Sequence, residues 1–474
     1  MGVLQKFAQS VVFSLADIMN QFVQNHKELG EDFFAPVKPA SFNTAILRYR
    51  NETAASYCGL SDLNDEEWIQ HFGHFKPFQG AFESPLALAY HGHQFGVYNP
   101  DIGDGRGFLL AQLRSPVSSE LLDFGTKGSG QTPFSRSGDG RLTLKGAVRE
   151  ILATEMLEAL GVKTSKTLSV IETGESLHRH DEPSPTRSAV LVRLSQTHIR
   201  IGSFQRHHYL GQPDKNEVLA RYVVRHYYPE IDANQPFERL VPALLSAFAQ
   251  KVAVMTAGWM AAGFVHGVLN TDNFNLTGES FDYGPWRFLP HLDPAFTAAY
   301  FDHQSRYAYG RQPDAALWAL CRFADCFIDQ IGQEVLEEAL QSFFSHMETA
   351  MVERMMALLC IVADTGAPIM NALLKAARTS KVGFDDLFFD LYGRDEPHKD
   401  IYKSEVFAPY FTALKNADVT YKARSHPYFA GDKPASLIID EVERIWAPIA
   451  EKDDWSDFED KLSHIRAYGQ ALGS

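Results

Sequence analysis

The chain is poor in cysteine, in basic charge and in unbroken apolar runs. Four cysteines occur in 474 residues, Cys58, Cys321, Cys326 and Cys360. They show neither paired CxxC ligand spacing nor the density of a secreted disulfide scaffold, which excludes both classes. Cys321 and Cys326 lie in ALWALCRFADCFIDQ and read as free thiols buried on a helix. Lys and Arg total 44 against 59 Asp and Glu, a net charge of −15. That balance argues against a broad nucleic-acid or anionic-membrane surface, while leaving room for a local basic pocket. No unbroken apolar stretch of about 18 residues is present to span a bilayer. The first residues, MGVLQKFAQSVVFSLADIMN, hold one lysine and an apolar run broken by Asp17, so no signal peptide is read. Lys6 occupies the Ser/Thr position of a myristoylation signal. A reducing, cytoplasmic compartment is expected, with neither membrane nor nucleic acid as partner.

What the chain does have is core-forming material, 45% hydrophobic with 12% aromatic residues, and enough length for a two-lobed enzyme. There is no internal repeat and no long low-complexity tract. GRGFLLAQLRS (105–115) and ELLDFGTKG (120–128) read as strands joined by a Pro/Ser turn. RLTLKGAVREILATEMLEAL (141–160) carries helical spacing and stops at Gly161. TLSVIET (167–173) and SAVLVRLS (188–195) read as two more strands. After residue 215 the pattern turns helical, through NEVLARYVVRHYY and RLVPALLSAFAQKVAVMTAGWMAAG. The order is glycine-bearing hairpin, lysine strand, helix, two strands, long helix, polar loops, further helices. It predicts an α+β, bilobal, protein-kinase-like fold: a sheet-rich N-lobe, a helical C-lobe and a divergent helical C-terminal extension. The expected segments are 1–80, packed on the N-lobe, 81–195, 196–380 and 381–474.

HGVLNTDNFNLTGESFDYGP (266–285) sharpens this. A kinase catalytic loop runs His-Arg-Asp-Leu-x-x-x-Asn, followed by an Asp-Phe-Gly metal loop. His266 and Asn273 stand at that spacing, and Asp282-Tyr283-Gly284 imitates the metal triplet. The catalytic-base position is Val268, which cannot accept a proton. Asp272 is the nearby acid able to replace it. Asn273 and Asp282 supply hard oxygens suited to Mg²⁺, completed by phosphate and water.

Upstream residues suit a nucleotide. IGDGRG places Gly103, Gly105 and Gly107 before a strand, where a backbone can approach phosphate closely, and Arg106 can clamp phosphate oxygens. Lys127 ends the next strand, and Glu150 is its candidate partner one helix later. TKGSGQTPFSRSGDGR (126–141) reads as a phosphate-wrapping loop turned by Asp139-Gly140. Arg193 and Arg200 bracket a strand that should line the cleft. Two motifs mislead. GTKGSGQT has Walker A spacing but Gln131 in the lysine position, and Asp123-Phe124-Gly125 precedes the helix and catalytic loop it should follow. His91 and His93 in AYHGHQFG lack further spaced ligands and read as structural.

HGHQFG, GDGRG, KGSGQTPFSRSGDGR, VRLSQTHIRIGSF, HGVLNTDNFNLTGESFDYGP and RYAYGRQPDAALW together resemble the selenoprotein O family over roughly residues 80 to 320. The resemblance implies a kinase-like fold that binds ATP in a flipped orientation and transfers AMP to Ser, Thr or Tyr hydroxyls of proteins, the enzyme itself included. It implies nucleotide contacts from Gly103, Gly105, Arg106, Lys127, Asp139, Gly140, Arg193, Arg200 and Asp282. Glu150 would hold Lys127, Asn273 and Asp282 would hold Mg²⁺ or Mn²⁺, and Asp272 would be the proton acceptor. Gly107 replaces the alanine usual in the family, a minor change on sequence grounds. Many members end in a redox-active cysteine or selenocysteine; here the last cysteine is Cys360, and the tail resembles the family poorly. The competing readings are a conventional protein kinase using Asp272 as a displaced base and a nucleotide-binding pseudokinase scaffold.

Overall fold

The computed structural model describes residues 21–421 and 424–473; the readings of Lys6 and Asp17 fall outside them. The architecture is α+β. Most strands before residue 196 form one antiparallel sheet in the order Phe34–Pro36, Leu86–Leu88, Leu109–Arg114, Leu121–Lys127, Thr186–Ser195, Lys166–Leu177, Ile46–Arg50, while Gly92–Gln94 and Val97–Asn99 pair separately. Phe22–Val23 and Leu142–Thr143 pair off this path, with Leu109–Arg114 and Thr186–Ser195 respectively. The segment before residue 81 therefore contributes strands to the sheet as well as packing on it.

Both faces of the sheet are covered, which is why its central strands read as continuous apolar runs. One face packs Phe108, Phe124, Val190 and Val192 against Phe22, Phe42, Trp68 and Phe72. The other carries Leu191 and Ala189 against the helix Leu144–Ala159. Thr143 caps that helix by accepting a hydrogen bond from the Gly146 amide, and its apolar stripe includes Val148, Ile151 and Leu152. The chain leaves it through Gly161 in the left-handed region, φ 73°, a conformation glycine adopts without steric cost.

Register fixes two functional side chains. Lys127 lies opposite Leu191, and Arg193 opposite Gly125. Cross-strand partners and residues two apart share a face, so Lys127 and Arg193 project together toward the helix that carries Glu150.

Helices dominate after residue 200, including Pro213–Tyr227, Phe237–Ala261, Gln312–Ala324 and Phe343–Leu359. One expectation needs correction. The helix Phe237–Ala261 is long and apolar enough to cross a membrane by length and composition, although 61% of its most apolar window is buried inside the protein. Scattered polar residues such as Ser246, Gln250 and Lys251 interrupt the run without lowering its mean hydropathy enough to fail that test. It is the central core helix, burying Leu244, Phe248, Val252 and Trp259 completely. It delivers the chain to Phe264–Val265, which pairs with Arg287–Phe288. That short ladder closes the base of the loops holding Asp272, Asn273 and Asp282.

The C-terminal helices Ile439–Lys452 and Ser456–Leu472 return to the sheet. Arg466 donates to both oxygens of Glu155 at 2.9 and 3.0 Å. Asp453 meets Arg48 and Arg187 at 3.0 and 2.7 Å. Gly469 lets the last helix approach Ala159, to which an added Cβ would lie 3.1 Å from the Cα. All four cysteines are free; three are buried and Cys321 is half-buried.

Gly107 proves more constrained than its sequence suggests. A Cβ there would sit 1.9 Å from the Thr126 carbonyl oxygen, so alanine requires the neighbouring strand to move. Gly107→Ala should lower stability by roughly 1–3 kcal/mol, the usual cost of overpacking. A denaturant midpoint equal to wild type would show that the hairpin shifts freely.

Candidate active site

The site is built around one buried carboxylate. Glu150, 1% exposed, accepts from Lys127 Nζ at 2.7 Å through Oε2. Its Oε1 accepts from Arg193 Nη2 at 2.6 Å and Nε at 3.1 Å. Lys127 and Arg193 also reach Asp282 Oδ1, at 3.0 and 3.1 Å. Two acids and two bases thus form a closed ring. Burial opposes ionisation of Glu150, but Arg193 and Lys127 outweigh it and hold its carboxyl below the usual range. Burial likewise opposes the charge on Asp282, which Lys127, Arg193 and Arg200 hold well below the carboxylate range. Asp282 sits at φ 64°, a sparsely populated conformation for a non-glycine residue.

The opposite wall comes from the loop after the core helix. Asp272 is buried yet lines the cleft. Burial pushes its carboxyl up to about 6, against Arg200 and assisted by Asp282. Its Oδ1 is buried and has no hydrogen-bond partner among the described residues. Asn273 lies just behind the lining, its amide donating to the Val268 carbonyl at 2.9 Å while its Oδ1 is buried and unpartnered. Position 268 thus serves through its backbone. His266 is bonded through Nε2 to the Phe281 carbonyl at 3.0 Å, tying the two loops together.

Arg200 joins the walls. It donates to the Asp272 carbonyl at 3.1 Å and to Asp104 at 3.2 Å, and its guanidinium lies 4.4 Å from the Tyr90 ring centroid. Between the walls is a cleft of about 810 Å³ lined by Arg106, Lys127, Arg193, Arg200, Asp272 and Asp282. Gly103, Gly105, Asp139 and Gly140 complete its glycine-rich rim. A Cβ on Gly103 would meet the Phe134 ring at 2.5 Å, and one on Gly140 the Gly130 backbone at 2.3 Å. Asp139 is exposed and pairs with Arg179 at 2.9 Å. It shapes the loop by accepting from the Arg141 amide at 2.9 Å.

The misleading motifs have structural roles. Asp123 is fully buried and accepts from Gln112 and the His198 amide at 2.7 and 2.8 Å. Gly125 leaves room for the His198 ring, 2.1 Å from an added Cβ. Gln131 bonds the Gly138 carbonyl within its own loop at 2.8 Å. His91 bonds Tyr98 and His93 bonds Gln205, at 2.9 and 2.8 Å. Sequence reasoning missed Asp104, Tyr90 and Arg136, all of which line the cleft. Asp104 stands inside the same IGDGRG turn and was discoverable as the acid nearest Arg106. Tyr90 carries no local signal, since only the fold brings it to Arg200.

Among the described residues no group of three or more His, Cys, Asp or Glu is placed to hold a metal. The donors present still fit a hard cation that takes most of its ligands from phosphate and water. The orphaned Asn273 oxygen and the Asp282 carboxylate are of that kind, and Mg²⁺ commonly uses only one or two protein carboxylates.

Comparison with known proteins follows the same line. The sequence model of the family described as protein adenylyltransferase SelO matches residues 17–466. A protein nucleotidyltransferase YdiU of Synechocystis is 40% identical over 469 residues, covering 93% of this chain and 97% of the relative. Its namesake in Gloeobacter violaceus is 41% identical over 458 residues, covering 92% and 93%. In Vibrio cholerae a further one is 39% identical over 317 residues, 66% of this chain and 63% of the relative. The family match runs to residue 466, well beyond the residues 80 to 320 over which the motifs carried the resemblance. Short motifs are sparse there, whereas the helical pattern that packs on Leu144–Ala159 is spread over many positions.

Removing the Glu150 charge leaves Lys127 and Arg193 to share Asp282 alone. Glu150→Gln should cost about 3–5 kcal/mol, as broken buried ion pairs do. Chemical denaturation would measure it; a loss below about 1 kcal/mol would mean the ring is effectively solvated.

Proposed function

The chain belongs to the SelO family of protein adenylyltransferases, and from that premise we propose that it transfers AMP from ATP to Ser, Thr or Tyr hydroxyls of proteins, itself included. The observation that carries this reading is Asp272, an acid with a raised pKa that lines the same cleft as Lys127, Arg193 and Arg200, in a loop whose usual base position is Val268. The bilobal, kinase-like description of the fold is part of the same proposal, supported by the order of lysine strand, glutamate helix and paired loops.

In the proposed reaction Lys127, Arg193 and Arg200 hold the phosphate chain with ATP in the flipped orientation, so that the α-phosphorus faces the acceptor. The acceptor oxygen forms a bond to the α-phosphorus while the bond from that phosphorus to the bridging oxygen breaks. Pyrophosphate departs with the electron pair, and Asp272 takes the hydroxyl proton. The guanidiniums and Lys127 lie where charge accumulates on the leaving group, which is the main demand of phosphoryl chemistry. Asn273 and Asp282 would hold Mg²⁺ or Mn²⁺, which when bound supplies further neutralisation of phosphate charge. Glu150 positions Lys127 and Arg193. The glycine-rich rim, with Gly103, Gly105, Arg106, Asp139 and Gly140, would cover the nucleotide. Four free thiols support a reducing, cytoplasmic setting.

Label from α-³²P-ATP should enter protein and label from γ-³²P-ATP should not. Incorporation from the γ position alone would establish a conventional kinase instead, and binding without incorporation a scaffold. Asp272 must be ionised to act, and its raised pKa keeps it protonated below about 6. Thus kcat/KM should fall as pH drops through about 6, and Asp272→Asn should remove that limb with a loss of roughly 10²-fold or more. An unchanged acid limb in Asp272→Asn would assign the titration to another group.

A further inference from the structure

Beside the nucleotide cleft lies a second cavity of about 470 Å³, whose lining carries seven Lys or Arg residues against three acids. That excess stands out in a chain of net charge −15. Arg141 is spent on Glu175, at 2.7 and 3.0 Å. Among the described residues, Arg149 and Arg287 form an ion pair with no acid. Arg149 donates to the Gly284 and Trp286 carbonyls, at 3.4 and 3.1 Å, with its guanidinium 4.7 Å from the Trp286 ring centroid. Arg287 donates to the Pro285 and Trp286 carbonyls at 3.1 and 2.9 Å. Each is half-buried, and burial pulls both guanidinium pKa values down, with Arg287 adding to the effect on Arg149. Two like charges that share the Trp286 carbonyl and lack an ion-pair partner of their own are a receptor for a carboxylate.

The structure also shows what chemistry the cavity accepts. Glu443, from the C-terminal helix Ile439–Lys452, reaches its rim and takes Lys145 Nζ at 2.7 Å. The same carboxylate offsets the desolvation of Arg149 and Arg287 without making an ion pair with either. Asp181 and Glu182 are the remaining acids of the lining. Tyr300 and Phe301, 77% and 41% exposed, stand at the mouth, an aromatic shelf suited to polypeptide. Arg106, Lys127 and Tyr300 belong to both cavities, so a chain lying here is next to the proposed transfer site.

We propose that this cavity binds acidic side chains of the polypeptide acceptor and selects hydroxyls flanked by Asp or Glu. The inference rests on the transfer chemistry proposed above. Because the two cavities share lining residues, the selected acid lies close in sequence to the acceptor hydroxyl.

The test uses the full chain with ATP and Mg²⁺ and peptides bearing one serine, flanked by Glu or by isosteric Gln. The Glu peptide should be used with a kcat/KM at least about tenfold higher, the scale of a charge-assisted hydrogen bond. That ratio should collapse toward unity in Arg149→Gln/Arg287→Gln while KM for ATP holds. Equal use of the two peptides by wild type overturns the proposal, whether or not the double variant folds. Direct binding of fluorescent Glu and Gln peptides covers the case in which no acceptor is modified. Preference for Glu then upholds the acidic site while the transferase reading falls; no preference removes the site. Inorganic phosphate that binds wild type but not the double variant, with no preference between peptides, would identify a phosphate site and overturn the acceptor proposal.

Discussion

Glu150 is the residue on which the site depends. A carboxylate with almost no exposure survives in a protein only when its charge is answered, and here it is answered twice, by Lys127 and Arg193. That obligation fixes the rotation of the helix Leu144–Ala159 against the sheet. It sets which strand face meets the cleft and draws Asp282 into the ring. Sheet register and helix packing thus converge on one electrostatic requirement. The same ring holds two cations at the cleft, so the groups that satisfy Glu150 are also those to which the proposed function assigns the phosphate chain.

The loop His266–Gly284 shows how a kinase-like pattern is retained while one residue is replaced. His266 and Asn273 keep local structural bonds, to the Phe281 and Val268 carbonyls, which do not require an acid at 268. Asp272 faces the cleft from the next turn, and burial raises its pKa toward the range useful to a base. The substitution costs the loop nothing structurally because position 268 contributes only its carbonyl.

Much of this was legible in the sequence, for physical reasons. The strand, helix and loop order appears as changes of hydrophobic period, and glycine turns with hydroxyls and arginines announce themselves locally. Lys127, Arg193, Arg200, Asp272 and Asp282 do line one cleft, with Glu150 buried against Lys127 and Arg193, although their chemical roles rest on the proposal. What was illegible depends on long-range contact. Tyr90 reaches Arg200 only through the fold, and the strain a side chain at Gly107 would create depends on the Thr126 carbonyl across the hairpin. The family relationship of the tail was missed because it lies in dispersed helical packing rather than in motifs. The bilayer-length helix was missed by counting uninterrupted apolar residues instead of averaging over a window.

The return of the last helix to the sheet bears on how the protein is made. Ser456–Leu472 covers the outer side of the helix that carries Glu150, through Arg466 on Glu155 and Gly469 on Ala159. Synthesis runs from the N-terminus, so the sheet and the helix Leu144–Ala159 emerge hundreds of residues before this cover exists. On the ribosome the glutamate helix must wait with one flank open to water. Its final packing therefore waits until Ser456–Leu472 has emerged, and a chain cut before that helix is left with that flank bare.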